Sequence, residues 1–454
     1  MVIIAGGGIT GLAAAYELAR RGVEFALLEA GSRAGGLVHT EHVDGFTIDA
    51  GADSLLVQKP AAIQLCEELG LAPRLMSTKL PRTAYVLRNG RLHALPSPSV
   101  LGIPTSLGAL ARYSLLDWPD RARLAAEPLM PRRRLDDESV ASFFRRRFGP
   151  ATVGLIAEPL LGGIHAGDIE QLSMPSIFPR LTEAEQAPGG VIRALARAPR
   201  PGLSEGLFRA LRGGMSELVT AIIASLPAGA LRTGAAVTGL QRRGAGWSVL
   251  TDAQAFDAPA VILALPSRTA AVLLRPLDER AASSCASVPY VSTASVALAW
   301  KRADIAHPLA GSGFVVARRH NSTRITACTW VSSKWEDRAP PDHVLLRAFT
   351  GGAHDPGAVD ATDDQLIADA VRDLTPVLGI AGPPVLTRVF RWRDAGAQHV
   401  VGHRARMTAL AARLREHPGL LAAGSGFESI GIPDCVANGR RAAAAAADYV
   451  RMGS

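Results

Sequence analysis

The sequence predicts an α/β chain. A Rossmann-like nucleotide-binding domain is joined to an antiparallel-sheet domain, with a helical insertion between their parts. Three observations predict this. The N-terminus runs strand, glycine cluster, helix and strand within its first 28 residues. Strand-like apolar runs return in the middle and at the end of the chain. Between about 96 and 212 they vanish, and Arg, Leu, Ala and Pro dominate.

The first element is the apolar run Val2–Ala5. Residues 13–21 have helical periodicity and end at Gly22, a residue suited to the position after a helix C-cap. Residues 23–28 again read as a strand. Such a βαβ unit implies a parallel sheet with a right-handed helical crossover. Further strands are expected at 235–240, 247–251 and 261–265. A second group at 292–300, 314–317, 324–331 and 344–349 suits an antiparallel sheet. The end of the chain reads as a strand at 420–423, a loop, and an alanine-rich helix from about Asp434. The division expected is therefore 1–76, 213–287 and 388–454 for the nucleotide domain, 77–95 and 288–387 for the second domain, and 96–212 for the insertion. Arginines of the insertion, such as Arg132–134 and Arg145–147, are expected on solvated faces.

Composition bounds the function classes. The chain has 454 residues, 48% apolar and 5% aromatic, which suits a globular fold of two or three domains. No apolar run approaches the length of a membrane span. The first strand starts directly after Met1, so no targeting peptide is expected and a cytoplasmic location is. Cys66, Cys285, Cys328 and Cys435 are scattered, which argues against disulfides and zinc. Net charge is +8, and lysine occurs only at 59, 79, 301 and 334. An arginine-rich surface attracts acidic headgroups and acidic substrates, so peripheral membrane contact of the insertion is one expectation. No nucleic-acid module is present, and nucleic acid is not an expected partner.

Gly6-Gly7-Gly8-Ile9-Thr10-Gly11 is a GxGxxG placed between strand and helix. Gly6 permits the tight turn, Gly8 lets backbone approach a pyrophosphate, and Gly11 lets helix and strand pack closely. The helix start offers free N–H groups and the positive dipole end. Glu29 ends the second strand 18 residues past Gly11, where an acid accepts hydrogen bonds from ribose hydroxyls. Arg33-Ala34-Gly35-Gly36 follows, a second glycine pair beside an arginine. This ExxxRxGG arrangement resembles the flavin amine oxidase superfamily, which implies FAD rather than NAD and a GR2-type flavoprotein fold.

Later segments resemble one branch, the protoporphyrinogen and coproporphyrinogen oxidases. They are Gly45-Phe46-Thr47-Ile48-Asp49-Ala50-Gly51-Ala52-Asp53-Ser54, Arg91-Leu92-His93-Ala94-Leu95-Pro96, Gly163-Ile164-His165-Ala166-Gly167-Asp168 and Gln171-Leu172-Ser173. Val389-Phe390-Arg391-Trp392, Gln398, Gly402-His403 and Ile430-Gly431-Ile432-Pro433-Asp434-Cys435 continue the series. Two places depart from the pattern. His165 stands where an aromatic residue is common, and Phe427-Glu428-Ser429 replaces a tyrosine and a more basic loop.

The resemblance implies FAD contacts at Gly6, Gly8, Ile9, Thr10, Gly11, Glu29, Ala30, Arg33, Gly35, Gly36 and Leu37. It extends them to Gly51, Ala52 and Val237, and to Gly424, Ser425, Gly431, Ile432 and Pro433, where a helix start faces the pyrimidine end of the flavin. For the substrate it implies Arg82 near a carboxylate, Phe349 as an aromatic wall, Val315 and Trp330 as further apolar wall, and the Ile164, His165 and Gly167 loop against the ring. The activity implied is oxygen-consuming dehydrogenation of a porphyrinogen in haem biosynthesis, with hydride passing to flavin N5 and hydrogen peroxide released. Substrate pyrrole nitrogens can expel the hydride, and the sequence offers no acid–base dyad or nucleophile triad, so no catalytic side chain is assigned. His165, His399 and His403 lack metal-ligand spacing and read as structural. Two other readings stand beside this one. An amine oxidase would carry a lysine on the strand near 291–300, which has none before Lys301. A non-catalytic binding protein of the same fold would not need the intact fingerprint.

Overall fold

A computed structural model describes residues 1–198, 206–428 and 430–452. Ser429 and residues 199–205 of the expected insertion lie outside them.

The nucleotide domain is built on a five-stranded parallel sheet. Its strands lie side by side in the order Leu231–Arg232, Phe25–Leu28, Val2–Ala5, Ala260–Leu263 and Leu420–Ala422. Val2, Ile3 and Ile4 are fully buried because a parallel sheet is covered on both faces. One face carries the Ile9–Arg20 helix and the long Ile432–Met452 helix. They touch closely: a Cβ on Gly439 would strike the Thr10 carbonyl. The small residues Ala442, Ala443, Ala446 and Ala447 continue that seam. The other face is covered by a three-stranded antiparallel sheet, Val237–Arg243, Gly246–Thr251 and Ala255–Ala258, and by the Ser267–Leu274, Glu279–Ala286 and His403–Leu414 helices.

The second domain is a seven-stranded sheet in the order Leu386–Ala397, Tyr290–Lys301, His343–Gly351, Ala327–Trp330, Gly313–Val316, Ala84–Arg88 and Arg91–Ala94. All pairs are antiparallel except Gly313–Val316 with Ala84–Arg88. The Asp363–Leu378 helix closes one face. Leu366, Ala370, Leu374 and Leu378 recur every fourth residue and bury against Val296, Leu298 and Leu346. Thr362 caps this helix through Gln365 N–H at 3.2 Å, and Gly379 ends it at φ +61°.

Three expectations change. The Leu386–Ala397 strand pairs along Tyr290–Lys301, so the boundary at 388 falls inside a strand and residues to 397 belong to the sheet domain. Phe208–Leu211 forms a small sheet with Leu55–Leu56 and Leu75–Ser77, so the insertion ends before it. Arg146 and Arg147 are not on a solvated face. Arg147 and Glu127 are both fully buried as a pair, and Arg146 pairs with Glu138 and Glu185. Arg132–134 and Arg145 do face solvent. Among the described residues no helix is long and apolar enough to cross a membrane.

Candidate flavin and substrate site

The glycine cradle has the geometry its three roles require. Gly6 sits at φ +104°, and a Cβ there would strike the Ala264 carbonyl. A Cβ on Gly11 would strike the Gly6 carbonyl. Around Gly8 nothing lies within 4 Å of that position, so its backbone fronts open space where a pyrophosphate fits. Gly8 is extended and the Ile9–Arg20 helix starts behind it, with Ile9 and Thr10 in its first turn. The second glycine pair meets the first: Gly35 N–H donates to the Gly7 carbonyl at 2.8 Å, and Gly36 packs on the Gly8 Cα. Glu29 accepts Gly7 N–H and Gly31 N–H, each at 2.7 Å, which leaves carboxylate lone pairs for a ribose. Ala30 beside it is exposed. The backbone of 232–235 brackets Glu29 and leads into Val237. Arg33 is spent locally, donating to the Gly36 carbonyl at 2.9 Å and to Val38 at 3.4 Å. The residues present fit a dinucleotide such as FAD.

The 50–53 turn is gripped by the sheet domain. Ser295 Oγ and Trp392 Nε1 both donate to the Ala50 carbonyl, at 2.9 and 3.1 Å. Arg347 donates to the Asp49 and Gly51 carbonyls. A Cβ on Gly51 would strike the Leu37 carbonyl, so the turn lies tight on a half-exposed Leu37. Asp53 is held by Lys334 at 3.0 Å and Arg347 at 3.2 Å. Burial raises its pKa, but the two cations outweigh burial and hold it well below the usual carboxylate range. Sequence reasoning missed Ser295, Lys334 and Arg347. The signal available was the scarcity of lysine: one of only four lies here.

On the C-terminal side Gly424 has φ +130° and Gly431 φ +120°, both glycine conformations. Ile432 and Pro433 open the last helix. Asp434 in its first turn meets Lys59 at 2.6 Å. Ser425 and Phe427 carbonyls accept from His399 Nε2 at 2.8 Å and His403 Nε2 at 3.1 Å.

The substrate-side residues divide. Phe349 pairs across strands with Ser295, the residue that reaches Ala50, and so lies on the face of the sheet that grips the 50–53 turn. Val315 packs toward the insertion. Trp330 is corrected: it pairs with Leu346, shares that residue's face, and is fully buried beneath the Asp363–Leu378 helix beside Tyr85 and His307. The period-two alternation of a strand puts it on the far face. Arg82 is half-buried, its Nε on Thr78 Oγ1 at 2.7 Å.

The 163–167 loop follows a π-helical stretch, Val153–Gly162, that contains Pro159. Such stretches recur at functional sites. Ala166 turns at φ 49°, and its carbonyl accepts Ala353 N–H at 2.8 Å, just past the Phe349 strand. Gln398 Nε2 donates to the His165 carbonyl at 2.9 Å, and Gly167 packs on Gln398. Ile164 is 64% exposed, an apolar side chain left outside every core cluster. His165 packs edge-on against Phe178. Burial, with His399 and Lys59 nearby, pushes its imidazole down to about 4, so it is neutral at pH 7. All four cysteines are buried, and burial pushes Cys435 up to about 11.

Residues 9–447 match the model of the flavin containing amine oxidoreductase family. The chain is 36% identical to coproporphyrinogen III oxidase of Bacillus subtilis, covering 99% of this chain and 98% of that one. It is 29% identical to protoporphyrinogen oxidase 1, chloroplastic, of Spinacia oleracea, over 99% and 84%. A crystal structure from Exiguobacterium sp. 255-15 superposes with a TM-score of 0.87 at 32% identity, covering 99% and 98%. Putrescine oxidase shares the fold at TM-score 0.70 and 19% identity. With the cradle intact and the whole length matched, the chain belongs to the flavin containing amine oxidoreductase family, as an FAD-dependent oxidase of its porphyrinogen oxidase branch.

Proposed function

We propose that this protein oxidises coproporphyrinogen III in haem biosynthesis, with oxygen as the final acceptor. The observation that carries the choice is the full-length match to relatives of that name at 30–36% identity. The site supports it. Lys59 lies near His165, and Arg180 hydrogen-bonds Gln58, the residue before Lys59. Arg82, half-buried on Thr78, is the further cation that the resemblance assigns to a substrate carboxylate. Coproporphyrinogen carries more carboxylates than protoporphyrinogen, and cations at a pocket mouth suit them.

Bound FAD supplies the two-electron acceptor. The chain's own residues bind and orient the substrate. Phe349 and Ile164 offer apolar surface to the ring edge, and Arg82 and Lys59 meet carboxylates. The 163–167 loop excludes water from one side. No side chain needs to act as a strong base, because the substrate's pyrrole nitrogens drive hydride departure.

The test is anaerobic mixing of the FAD-loaded protein with each porphyrinogen. Coproporphyrinogen III is expected to bleach the flavin absorbance faster than protoporphyrinogen IX, with porphyrin fluorescence once air is admitted. Faster bleaching by protoporphyrinogen IX overturns the substrate choice. No bleaching by either moves the reading to an amine substrate.

A second element of the proposal concerns location. Leu107, Trp118 and Leu129 of the insertion are 80, 72 and 81% exposed, and Arg121 stacks on Trp118 at 5.1 Å. Exposed apolar side chains beside arginines suit an acidic lipid surface. The protein is expected to float with vesicles containing phosphatidylglycerol and to release at high salt. Protein left at the bottom of the gradient removes this element.

A further inference from the structure

Three sequence motifs have no part in binding as described so far: Gln171-Leu172-Ser173, Gln398 and Gly402-His403. The fold gathers them in one place. His399 and His403 are both about 1% exposed and lie stacked, centroids 3.8 Å apart and planes 10° apart. Each points Nε2 at a carbonyl of the 424–427 turn: His399 at Ser425 and His403 at Phe427. A carbonyl only accepts, so each Nε2 carries the proton. The other nitrogen of His403, Nδ1, is buried with no partner among the described residues.

The same stretch is tied to the insertion. Ser173 N–H donates to the His399 carbonyl at 2.8 Å, and Val401 N–H to Gln171 at 2.8 Å. Asp137 accepts both Gly402 N–H and Ser173 Oγ, each at 2.7 Å. Gln398 reaches the other way, to the His165 carbonyl on the substrate-side loop.

We infer that residues 398–403 are a positioning bracket: His399 and His403 set the 424–427 turn that faces the flavin, while Gln398 sets the 163–167 loop, fixing cofactor and substrate ring relative to one another. None of these side chains touches the reacting atoms. The cofactor half rests on the FAD-binding fold and not on the choice of substrate; the Gln398 half rests on the proposed porphyrinogen reaction.

The test uses the FAD-loaded protein. In His399→Leu the flavin dissociation constant is expected to rise on the order of tenfold, the scale of one buried hydrogen bond, with a shifted visible flavin spectrum. His399→Gln places an amide N–H near the position of Nε2 and is expected to restore both. His399→Asn places it near Nδ1 and is expected not to. The Gln and Asn pair makes the same distinction if the Leu variant does not fold. Gln398→Met is expected to raise KM for the porphyrinogen several-fold with kcat and flavin affinity little changed. If His399→Asn and His399→Gln match each other in flavin affinity and spectrum, the cofactor half is overturned. Unchanged KM in Gln398→Met overturns the substrate half. Wild-type protein without turnover on porphyrinogens counts against the proposed reaction and leaves the flavin arm to decide the cofactor half.

Discussion

At the scale of single residues, the glycines separate packing from binding. Gly11 and Gly8 lie three residues apart in one motif but do different work. A methyl at Gly11 meets the Gly6 carbonyl, whereas one at Gly8 meets nothing within 4 Å. Gly11→Ala is therefore expected to destabilise the protein by about 1–3 kcal/mol, the cost of overpacking, and to lower bound flavin with it. Gly8→Ala is expected to leave the melting temperature of the flavin-free protein nearly unchanged while weakening flavin binding. Paired melting curves and flavin titrations check both. These roles were legible in the sequence because the backbone itself dictates them. Lys334 and Arg347 were not, since nothing local ties them to Asp53, 281 residues from Lys334. Asp53→Asn leaves two buried cations without their counter-charge. It is expected to cost about 3–5 kcal/mol, read by urea unfolding.

At the scale of elements, strands were legible and their partners were not. Apolar and β-branched runs marked the Tyr290–Lys301 and His343–Gly351 strands to within a few residues, but the 12-residue strand Leu386–Ala397, rich in arginine, was not marked as one. Which sheet Leu386–Ala397 joins depends on pairing with Tyr290–Lys301, almost 100 residues earlier, and no local pattern records that. Trp330 shows the same limit: one residue of register decides whether a strand side chain faces the site or the far core. Arg146 and Arg147 were misread because charge alone does not tell a solvated face from a buried pair. Glu127 explains why Arg147 is inside. It also accepts Val191 and Ile192 N–H at 3.0 and 3.1 Å, completing the start of the Gly190–Arg197 helix. Glu127→Ala is accordingly expected to destabilise by about 3–5 kcal/mol, because it strands a buried guanidinium. Replacing Arg147 as well, as Glu127→Ala with Arg147→Met, is expected to recover part of the loss. A double-mutant cycle in thermal unfolding measures the coupling.

At the scale of the whole molecule, the 163–167 loop, the 424–427 turn and the insertion converge on neutral histidines. Burial lowers the pKa of His165 to about 4 and of His403 to about 3, and His399 is lowered too, burial again being the main cause. In the unfolded chain each returns to about 6.5. Between those values the unfolded state holds more protons than the folded one, so stability rises with pH there and is lost as pH falls. The stack sharpens this, since two imidazoles 3.8 Å apart resist carrying charge together. The unfolding midpoint in urea is therefore expected to be flat above about pH 7.5 and to fall steadily from about pH 6.5 toward pH 4. Asp53, whose pKa is depressed, adds its own loss only below the ordinary carboxylate range near 4. The histidine contribution is thus the one seen between pH 6.5 and 5. His403→Gln keeps a donor for the Phe427 carbonyl but removes one titrating group, so its midpoint is expected to fall less steeply over that interval. A variant curve parallel to wild type would show that His403 keeps the same protonation in both states, and would take the acid sensitivity away from the bracket.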